Sequence, residues 1–305
     1  MNPTGGAIVL ERDGVRAELG TVAAVLRSLT VDGADLTLPI AADRAPGMCN
    51  GIILSPWPNR VRDARWTLDG AMQQLDITEP VLGGALHGLL QFADYEITEQ
   101  SVDAATLAAT IFPQHGWPFL VETWVRYELA PDGLNVTHGA RNLSAARAPY
   151  ATGSHPYLRV GDAAIADLEL TAQASSYFEV DERLNPVAER PVDGTAYDLR
   201  APQRVGGLTL DTAFGAVEHA NVSGGRGDVA WLTAPDGSRT IVWQSTDWGY
   251  LQVFTTHQMD SAAGQIDAIA IEPMTAPPDA LNSGQGLIWL EHDTIWEGSW
   301  GLRRE

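Results

Sequence analysis

Asp-Gly pairs recur along this chain and constrain its fold more than any other feature. The type I′ turns that join two antiparallel strands need positive φ at both central residues, and Asp-Gly supplies that conformation at low cost. Each pair lies between segments in which apolar and polar residues alternate, which is typical of strands. The pattern predicts an antiparallel, mostly β protein with hairpin turns at six places: Asp13, Asp32, Asp69, Asp132, Asp193 and Asp236.

The segment 121–144 shows this pattern most clearly. Alternate residues in its first half share one mostly apolar face, and Pro-Asp-Gly then turns the chain into a second alternating run. Long apolar stripes with a period of 3.6 residues do not occur, so helices should be few, short and peripheral. The Gly-rich stretch 223–228 predicts a flexible loop. Strand-like segments continue on both sides of it, so we expect a single domain over residues 1–305.

Composition narrows the classes of function. The formal charge of −20, from 19 Lys and Arg against 39 Asp and Glu, repels nucleic acid phosphates and anionic lipids. We therefore expect no nucleic acid partner and no membrane partner. Cys49 is the only cysteine and the first residues lack the apolar segment of a secretory signal, so a cytoplasmic protein is expected. The scattered histidines and the lone cysteine give little support for a metal site.

A strand-like segment ending at residues 271–273 carries the first candidate for chemistry. In a strand, Glu272 shares a face with Ala268 and Ala270, while the isoleucines between them face the core. Small side chains beside a carboxylate would leave a hollow for a ligand. Pro273 would end the strand and free the following loop to line that hollow. A glutamate at the solvent surface is the commoner arrangement and stays open at this point.

Two histidines are candidates for proton transfer or ligand binding. His155 precedes a proline, which favours an extended backbone and a fixed side-chain direction. Imidazole exchanges protons near neutral pH. His87 is followed by Gly88, which permits either a turn or the close approach of a ligand. A core position with a carbonyl partner is an equally good interpretation of both histidines.

Polar groups that suit a hydroxyl-rich ligand occur at two further places. Two prolines around Trp57 stiffen the chain, and Asn59 and Arg60 then present donors beside the aromatic ring. Trp57 could instead fill the core, and Arg60 could be a surface charge. Asp211 is out of phase with its apolar neighbours, so it should point away from the core, unless it forms a turn at the strand end.

Six short motifs, taken together and in order, resemble the aldose 1-epimerase (mutarotase) family: PWPNR at 56–60, LHG at 86–88, HGWPF at 115–119, SHPYL at 154–158, LDTAF at 210–214 and IEPMTAPPDALN at 271–282. The resemblance runs from about residue 45 to near the C-terminus. It implies an all-β fold, a large twisted antiparallel β-sandwich of the galactose mutarotase type. It also implies that a monosaccharide binds in an open cleft over one sheet, to a monomer or a homodimer.

The resemblance implies a role for each matching residue. Glu272 matches the base that takes the proton of the sugar's C1 hydroxyl, and His155 matches the acid that protonates the ring oxygen. Arg60, His87 and Asp211 match groups that bind the ring oxygen or the hydroxyls.

The chemistry of ring opening requires such a pair whatever the family. A proton must leave O1 while another reaches O5, so a base and an acid are needed on opposite sides of the anomeric carbon. Ring closure reverses both transfers, and no cofactor is needed. We expect Glu272 to be ionised, and His155 to be held protonated by a nearby carboxylate or by hydrogen bonds.

The motifs leave the sugar open. GGALHG stands where well-known galactose mutarotases have a run rich in asparagine and histidine, and PMTAPPDA replaces their glutamine-containing segment. These variants are similar to a bacterial branch of aldose epimerases that resembles mutarotases of sulfosugar breakdown. A neutral aldohexose is our first choice, with a sulfosugar as an alternative.

Three other functions stay open. A hexose-6-phosphate 1-epimerase would need a basic pocket, for which Arg62, Arg65 and Arg159 are available, although the acidic chain argues against it. A carbohydrate-binding protein would not need both Glu272 and His155. A polysaccharide lyase or hydrolase would need a second catalytic carboxylate or a tyrosine base.

Overall fold

Strands form most of the regular structure, as the alternating sequence predicts. The structure is a computed structural model and describes residues 2–261 and 264–305. Helical structure in these ranges is limited to a four-residue helix, α1 (Ala280–Ser283), and to short turns at Gly47–Cys49, Arg62–Ala64, Ile165–Asp167 and Val205–Gly207. Within the described residues, no helix has the length and apolar character needed to cross a membrane.

The strands, in chain order, are β1 (Ala7–Arg12), β2 (Val15–Gly20), β3 (Leu26–Val31), β4 (Ala34–Asp35), β5 (Ile53–Leu54), β6 (Arg60–Val61), β7 (Arg65–Leu68), β8 (Ala71–Gln74), β9 (Ala85–Leu86), β10 (Glu96–Gln100), β11 (Ala104–Ile111), β12 (Val121–Ala130), β13 (Gly133–Asn142), β14 (Ala148–Tyr150), β15 (Gly153–Ser154), β16 (Glu169–Ala172), β17 (Ala174–Val180), β18 (Pro186–Pro191), β19 (Gln203–Arg204), β20 (Asp211–Val217), β21 (Ala220–Ser223), β22 (Arg226–Thr233), β23 (Arg239–Ser245), β24 (Tyr250–Ser261), β25 (Gly264–Met274), β26 (Ile288–Leu290) and β27 (Ile295–Arg304).

Two large antiparallel sheets dominate the fold. The seven-stranded sheet has the order β18-β17-β20-β24-β25-β15-β5. The ten-stranded sheet has the order β10-β11-β12-β13-β27-β23-β22-β16-β19, with β21 paired to β22. Strands β1 to β4 form a four-stranded sheet, and the remaining strands form the pairs β6-β9, β7-β8 and β14-β26.

One buried cluster joins the three larger sheets. It includes Val125 and Tyr127 of the ten-stranded sheet, Ile269 and Ile271 of the seven-stranded sheet, and Leu10 of the four-stranded sheet, all at most 1% exposed. Full burial of one such aliphatic side chain contributes roughly 1.5–3 kcal/mol. The expectation of an all-β antiparallel sandwich with few short helices is confirmed.

Five of the six Asp-Gly pairs lie at hairpin turns, between β1 and β2, β3 and β4, β7 and β8, β12 and β13, and β22 and β23. The prediction for Asp193 is wrong. It follows β18 at the edge of the seven-stranded sheet, and the chain then crosses to β19 in the other large sheet. Positive φ at both residues, which a type I′ turn requires, occurs at Asp13, Asp32 and Asp69 with their glycines, whereas at Asp193 only Gly194 has it.

The stretch 223–228 is also not the flexible loop that its glycines predict. Gly224 and Gly225 form a two-residue turn, and Ser223 pairs with Arg226 across it. Asp228 is buried inside β22, where its carboxylate accepts a hydrogen bond from Arg303. The glycines therefore serve a tight hairpin rather than a mobile segment.

Candidate active site

A cleft of about 150 Å³ lies over one face of the seven-stranded sheet. Three of its polar side chains come from the adjacent strands β20, β24 and β25, and others follow β5, β9 and β15. Its volume is below the range of about 300–1,000 Å³ that is usual for drug-sized ligands, which favours a small ligand. Six of the seven predicted site residues line this cleft: Asn59, Arg60, His87, His155, Asp211 and Glu272.

The alternation of β25 places Glu272 in the cleft. Ile269 and Ile271 face the main core, and Glu272, on the other face, pairs in register with Gln252 of β24. Glu272 is only 2% exposed, so the surface interpretation of this glutamate is wrong. Tyr157 packs against Ala268 and Ala270, so the cleft beside Glu272 is lined by Tyr157 and not by these alanines.

The segment after Glu272 supports the cleft from behind and does not line it. Strand β25 continues through Pro273, which pairs with Leu251, so the predicted end of the strand at this proline is wrong. In the following loop, the Asp279 N–H donates to the Arg60 carbonyl at 2.7 Å, and its carboxylate accepts from the Arg62 N–H at 2.9 Å. These bonds fix the backbone that carries the arginine of the cleft.

His155 and Glu272 form a buried ionisable pair. The His155 Nε2 atom lies 3.4 Å from the Glu272 Oε1 atom. Burial lowers the pKa of His155 to about 4. Burial also raises the pKa of Glu272 well above its ordinary value, and the charge of Asp211 adds to this shift. Both shifts favour the uncharged forms, an imidazole and a carboxylic acid, which together carry one titratable proton.

Two expectations about this pair are therefore corrected. His155 is not held protonated by the carboxylate, because the desolvation of a buried imidazolium outweighs that attraction. The two groups also lie 3.4 Å apart, which leaves no room for an anomeric carbon directly between them. Ring opening remains possible, because O1 and O5 are both bonded to C1 and two adjacent groups can reach them.

One carboxylate oxygen of the pair lacks a hydrogen-bond partner within the described residues. This atom, Glu272 Oε2, is buried. An unsatisfied buried polar atom is unfavourable by roughly 1–3 kcal/mol. A hydroxyl group of a bound ligand would supply the missing partner.

His87 is positioned as a neutral donor beside this pair. The Asn59 N–H donates to His87 Nδ1 at 3.2 Å, so the neutral ring carries its proton on Nε2. Burial lowers the pKa of His87 well below its ordinary value, and the positive charge of Arg60 acts in the same direction. Gly88 is required by close backbone packing and not by a ligand, because a Cβ atom there would lie 2.1 Å from the Ser55 carbonyl oxygen.

A chain of side-chain hydrogen bonds crosses the floor of the cleft through a residue that the sequence did not indicate. The Asn59 amide donates to Gln252 Oε1 at 3.1 Å, and the Gln252 amide donates to Asp211 Oδ1 at 2.6 Å. Gln252 escaped prediction because only the register of β24 against β25 brings it opposite Glu272. No local signal marks it.

A second unpredicted residue holds the arginine of the cleft. Both oxygens of Glu79 accept hydrogen bonds from Arg60, at 2.8 Å from Nε and 3.0 Å from Nη2. The remaining Nη1 lies 4.0 Å from Asp211 Oδ2. Arg60 is therefore a paired and mostly buried cation, and the surface interpretation of it is wrong.

Trp57 does not line the cleft. It is 2% exposed, and its ring packs in the core with a centroid 5.9 Å from that of Trp117. Its predicted substrate-binding role is therefore wrong, and the alternative that it fills the core is correct. The large apolar ring gains more from burial there than from an exposed cleft.

The basic pocket required by a phosphosugar epimerase is not assembled at this cleft. Arg62 donates to the Pro186 carbonyl, Arg65 donates to the Gln74 side chain, and Arg159 donates to the Gly161 carbonyl. None of these three arginines lines the cleft.

Comparisons with known proteins agree with the fold and the motifs. The family model for aldose 1-epimerase matches residues 6–303. The uncharacterized protein YihR of Escherichia coli (strain K12) is 30% identical over 293 residues, which cover 95% of this chain and 91% of that protein. Galactose mutarotase of Rattus norvegicus is 32% identical over 164 residues, covering 51% of this chain and 46% of the mutarotase. The crystal structure of the GalM/aldose epimerase homologue from C. elegans matches with a TM-score of 0.85 and 19% identity over 98% of each chain, which supports the fold alone.

Proposed function

Because this chain belongs to the aldose 1-epimerase family, we propose that it interconverts the α and β anomers of an aldohexose by acid–base opening and closure of the ring. The observation that supports this proposal best is the buried pair of Glu272 and His155, with Glu272 Oε2 free to accept a hydroxyl proton. A site that only binds sugar would gain nothing from burying two such groups together.

The sugar's O1 hydroxyl donates to Glu272 when the ring binds. This hydrogen bond favours the ionised carboxylate, so the proton shared by the pair moves to His155 across the 3.4 Å contact. Glu272 then takes the O1 proton while His155 gives its proton to O5, and the C1–O5 bond breaks. Rotation about C1–C2 turns the other face of the aldehyde towards O5, and closure reverses both transfers.

The burial of the pair favours the ring-opened state. Before opening, Glu272 is negative and His155 is positive; after opening, both are neutral, because each has exchanged one proton with the sugar. Burial shifts both pKa values towards those neutral forms. The environment thus favours both of the proton transfers that open the ring.

The other polar groups of the cleft hold the sugar. The His87 Nε2–H can donate to the ring oxygen or to a hydroxyl, and Asp211 can accept from hydroxyls. The small volume of the cleft, and the presence of a single arginine among the described residues that line it, support a neutral aldohexose as substrate.

Two further proposals concern the chain as a whole. We propose that residues 1–305 form one domain, supported by the buried cluster that joins the three larger sheets. We also propose a cytoplasmic location, supported by the acidic composition and the single cysteine.

The test is the optical rotation of freshly dissolved α-glucose and α-galactose with the wild-type protein and with Glu272→Gln. We expect the wild type to accelerate the change for at least one sugar, and the variant to lose roughly 10²–10⁴ of that acceleration. Glu297→Gln, an exposed site whose carboxylate contacts Trp124, is the matched control and should behave as wild type. A wild type that binds sugar without accelerating the change in optical rotation would refute the proposed enzymatic activity and favour the carbohydrate-binding alternative.

A further inference from the structure

The cationic groups of the cleft reduce to one arginine. Among the residues that line the cleft in the described part of the chain, Arg60 is the only lysine or arginine. Burial favours the neutral forms of His87 and His155, and any positive charge that His155 gains when the sugar binds is balanced by the negative charge of Glu272. Any anionic group on a sugar would therefore have to be neutralised by Arg60.

Two of the three guanidinium nitrogens of Arg60 are already engaged. Its Nε and Nη2 atoms bind the two oxygens of Glu79 in the bidentate geometry that suits a guanidinium and a carboxylate. The side chains of Arg60 and Glu79 are 13% and 20% exposed, so water screens this pair only partly. An anionic ligand would have to displace Glu79 or to share the arginine with it.

The backbone holds both partners in place. Glu79 begins a tight turn in which its N–H donates to the Gly84 carbonyl at 3.1 Å and its carbonyl accepts from the Gly83 N–H at 2.8 Å. Arg60 pairs in register with Leu86, the residue before His87. The ion pair is thus part of the framework of the cleft and not a chance contact between flexible surface chains.

The charges next to Arg60 are negative in sum. Glu79 lies at hydrogen-bond distance from it, and Asp211 lies 4.0 Å away on the side of the cleft. Two carboxylates around one guanidinium leave a local excess of negative charge, which repels a phosphate, a sulfonate or a uronate and leaves neutral hydroxyls unaffected.

We propose that Glu79 is a specificity-determining residue that neutralises Arg60 and thereby restricts the cleft to uncharged aldoses. This inference rests on the proposed mutarotase function and names its substrate class. Glu79 acts through Arg60 and makes no contact with reacting atoms, so its loss should change the choice of substrate more than the rate with a neutral sugar.

The test compares kcat/KM for anomer exchange of glucose, glucose 6-phosphate and glucuronate, measured by NMR exchange spectroscopy. The wild type should favour glucose. Glu79→Gln should raise the ratio of anionic to neutral kcat/KM by about tenfold, equal to about 1.4 kcal/mol. The gain should appear mainly in KM and shrink as salt is added. Glu79→Asp keeps the charge and should keep the wild-type preference.

A matched control separates this effect from net charge. Glu128→Gln removes one negative charge from the exposed Glu128–Arg126 pair and should leave the ratio unchanged. Melting temperatures of all variants verify that they fold.

Three results would overturn the inference. If the wild type turns over either anionic sugar as well as glucose, the cleft does not select against anionic sugars, although the mutarotase function would stand. A Glu79→Gln variant that changes all three sugars equally would reduce Glu79 to a structural residue. A wild type inactive on all three sugars would remove the proposed function and this inference with it.

Discussion

His155 and Glu272 face each other across 3.4 Å in a site where burial shifts the pKa of each towards its neutral form. The pair therefore works as one unit that holds one proton. Its titration belongs to both residues, and the pH dependence of catalysis should report the pair.

The first prediction concerns the acid limb of that dependence. Because burial lowers the pKa of His155 to about 4, kcat/KM should stay nearly constant between pH 6.5 and 5 and fall as pH drops through about 4. Below that point the pair gains a second proton and Glu272 can no longer act as a base. Polarimetry over this range, corrected for uncatalysed mutarotation, measures the limb. A midpoint near 6.5 would show that His155 titrates as an ordinary histidine.

The second prediction concerns the backbone at Gly88, the residue after His87. Gly88→Ala should destabilise the protein by several kcal/mol and reduce activity, because the new Cβ would lie 2.1 Å from the Ser55 carbonyl oxygen at φ +80°. Gly237→Ala is the matched control. Its φ of +88° is similar, but no atom lies within 4 Å of its Cβ position, so only the backbone penalty of about 1 kcal/mol should remain. Thermal unfolding of both variants tests this, and equal losses would contradict it.

The third prediction separates packing from binding at Trp57. Trp57→Phe should lower the free energy of unfolding by roughly 1–3 kcal/mol, because it leaves a void against Trp117. The indole N–H has no partner within the described residues, so no hydrogen bond is lost. KM should be unchanged. Trp289→Phe at the surface serves as the control, with an expected change within about 0.5 kcal/mol. A large rise in KM with unchanged stability would restore the substrate-binding role.

The fourth prediction concerns acid stability. His138 is fully buried, accepts a hydrogen bond from the Trp300 indole at 3.0 Å, and has its pKa lowered by burial to about 3. The unfolded chain binds a proton there near pH 6.5 and the folded chain does not, so this residue makes the free energy of unfolding fall as pH drops from 6.5 to 3. The slope is at most about 1.4 kcal/mol per pH unit.

His138→Gln should remove this part of the slope. Urea unfolding at each pH gives the free energy of unfolding of the wild type and of the variant. The two free energies should converge as the pH falls from 6.5, and the difference between them should stay constant between pH 7.5 and 9. Parallel curves over the whole range would mean that His138 has the same pKa in the folded and unfolded states.

Features that depend on local chemistry could be predicted from the sequence. Asp13 and Gly14 form their turn with neighbours a few residues away, so this dipeptide was sufficient to predict the hairpin. The alternation in Val121–Ala130 likewise identified which residues are buried. Asp193 shows the limit, because the same dipeptide also serves a crossover between sheets.

Features that depend on distant partners could not be predicted. Asn59 and Gln252 are separated by 193 residues in sequence, and only the folded sheet shows that they are bonded. Trp57 could not be assigned to the core until Trp117 was seen beside it. The protonation of His155 depends on its burial, which motif spacing does not reveal.

The position of β27 has a consequence for how the chain is made. Residues 295–304 lie in the middle of the ten-stranded sheet, between β13 and β23. Strands β13 and β23 are both synthesised before β27, so each has an unpaired edge until β27 pairs with it. Exposed edges recruit strands from other chains. The chain is therefore most prone to aggregate after β23 has been made and before β27 has been made, and any pause just before residue 295 should favour aggregation over folding.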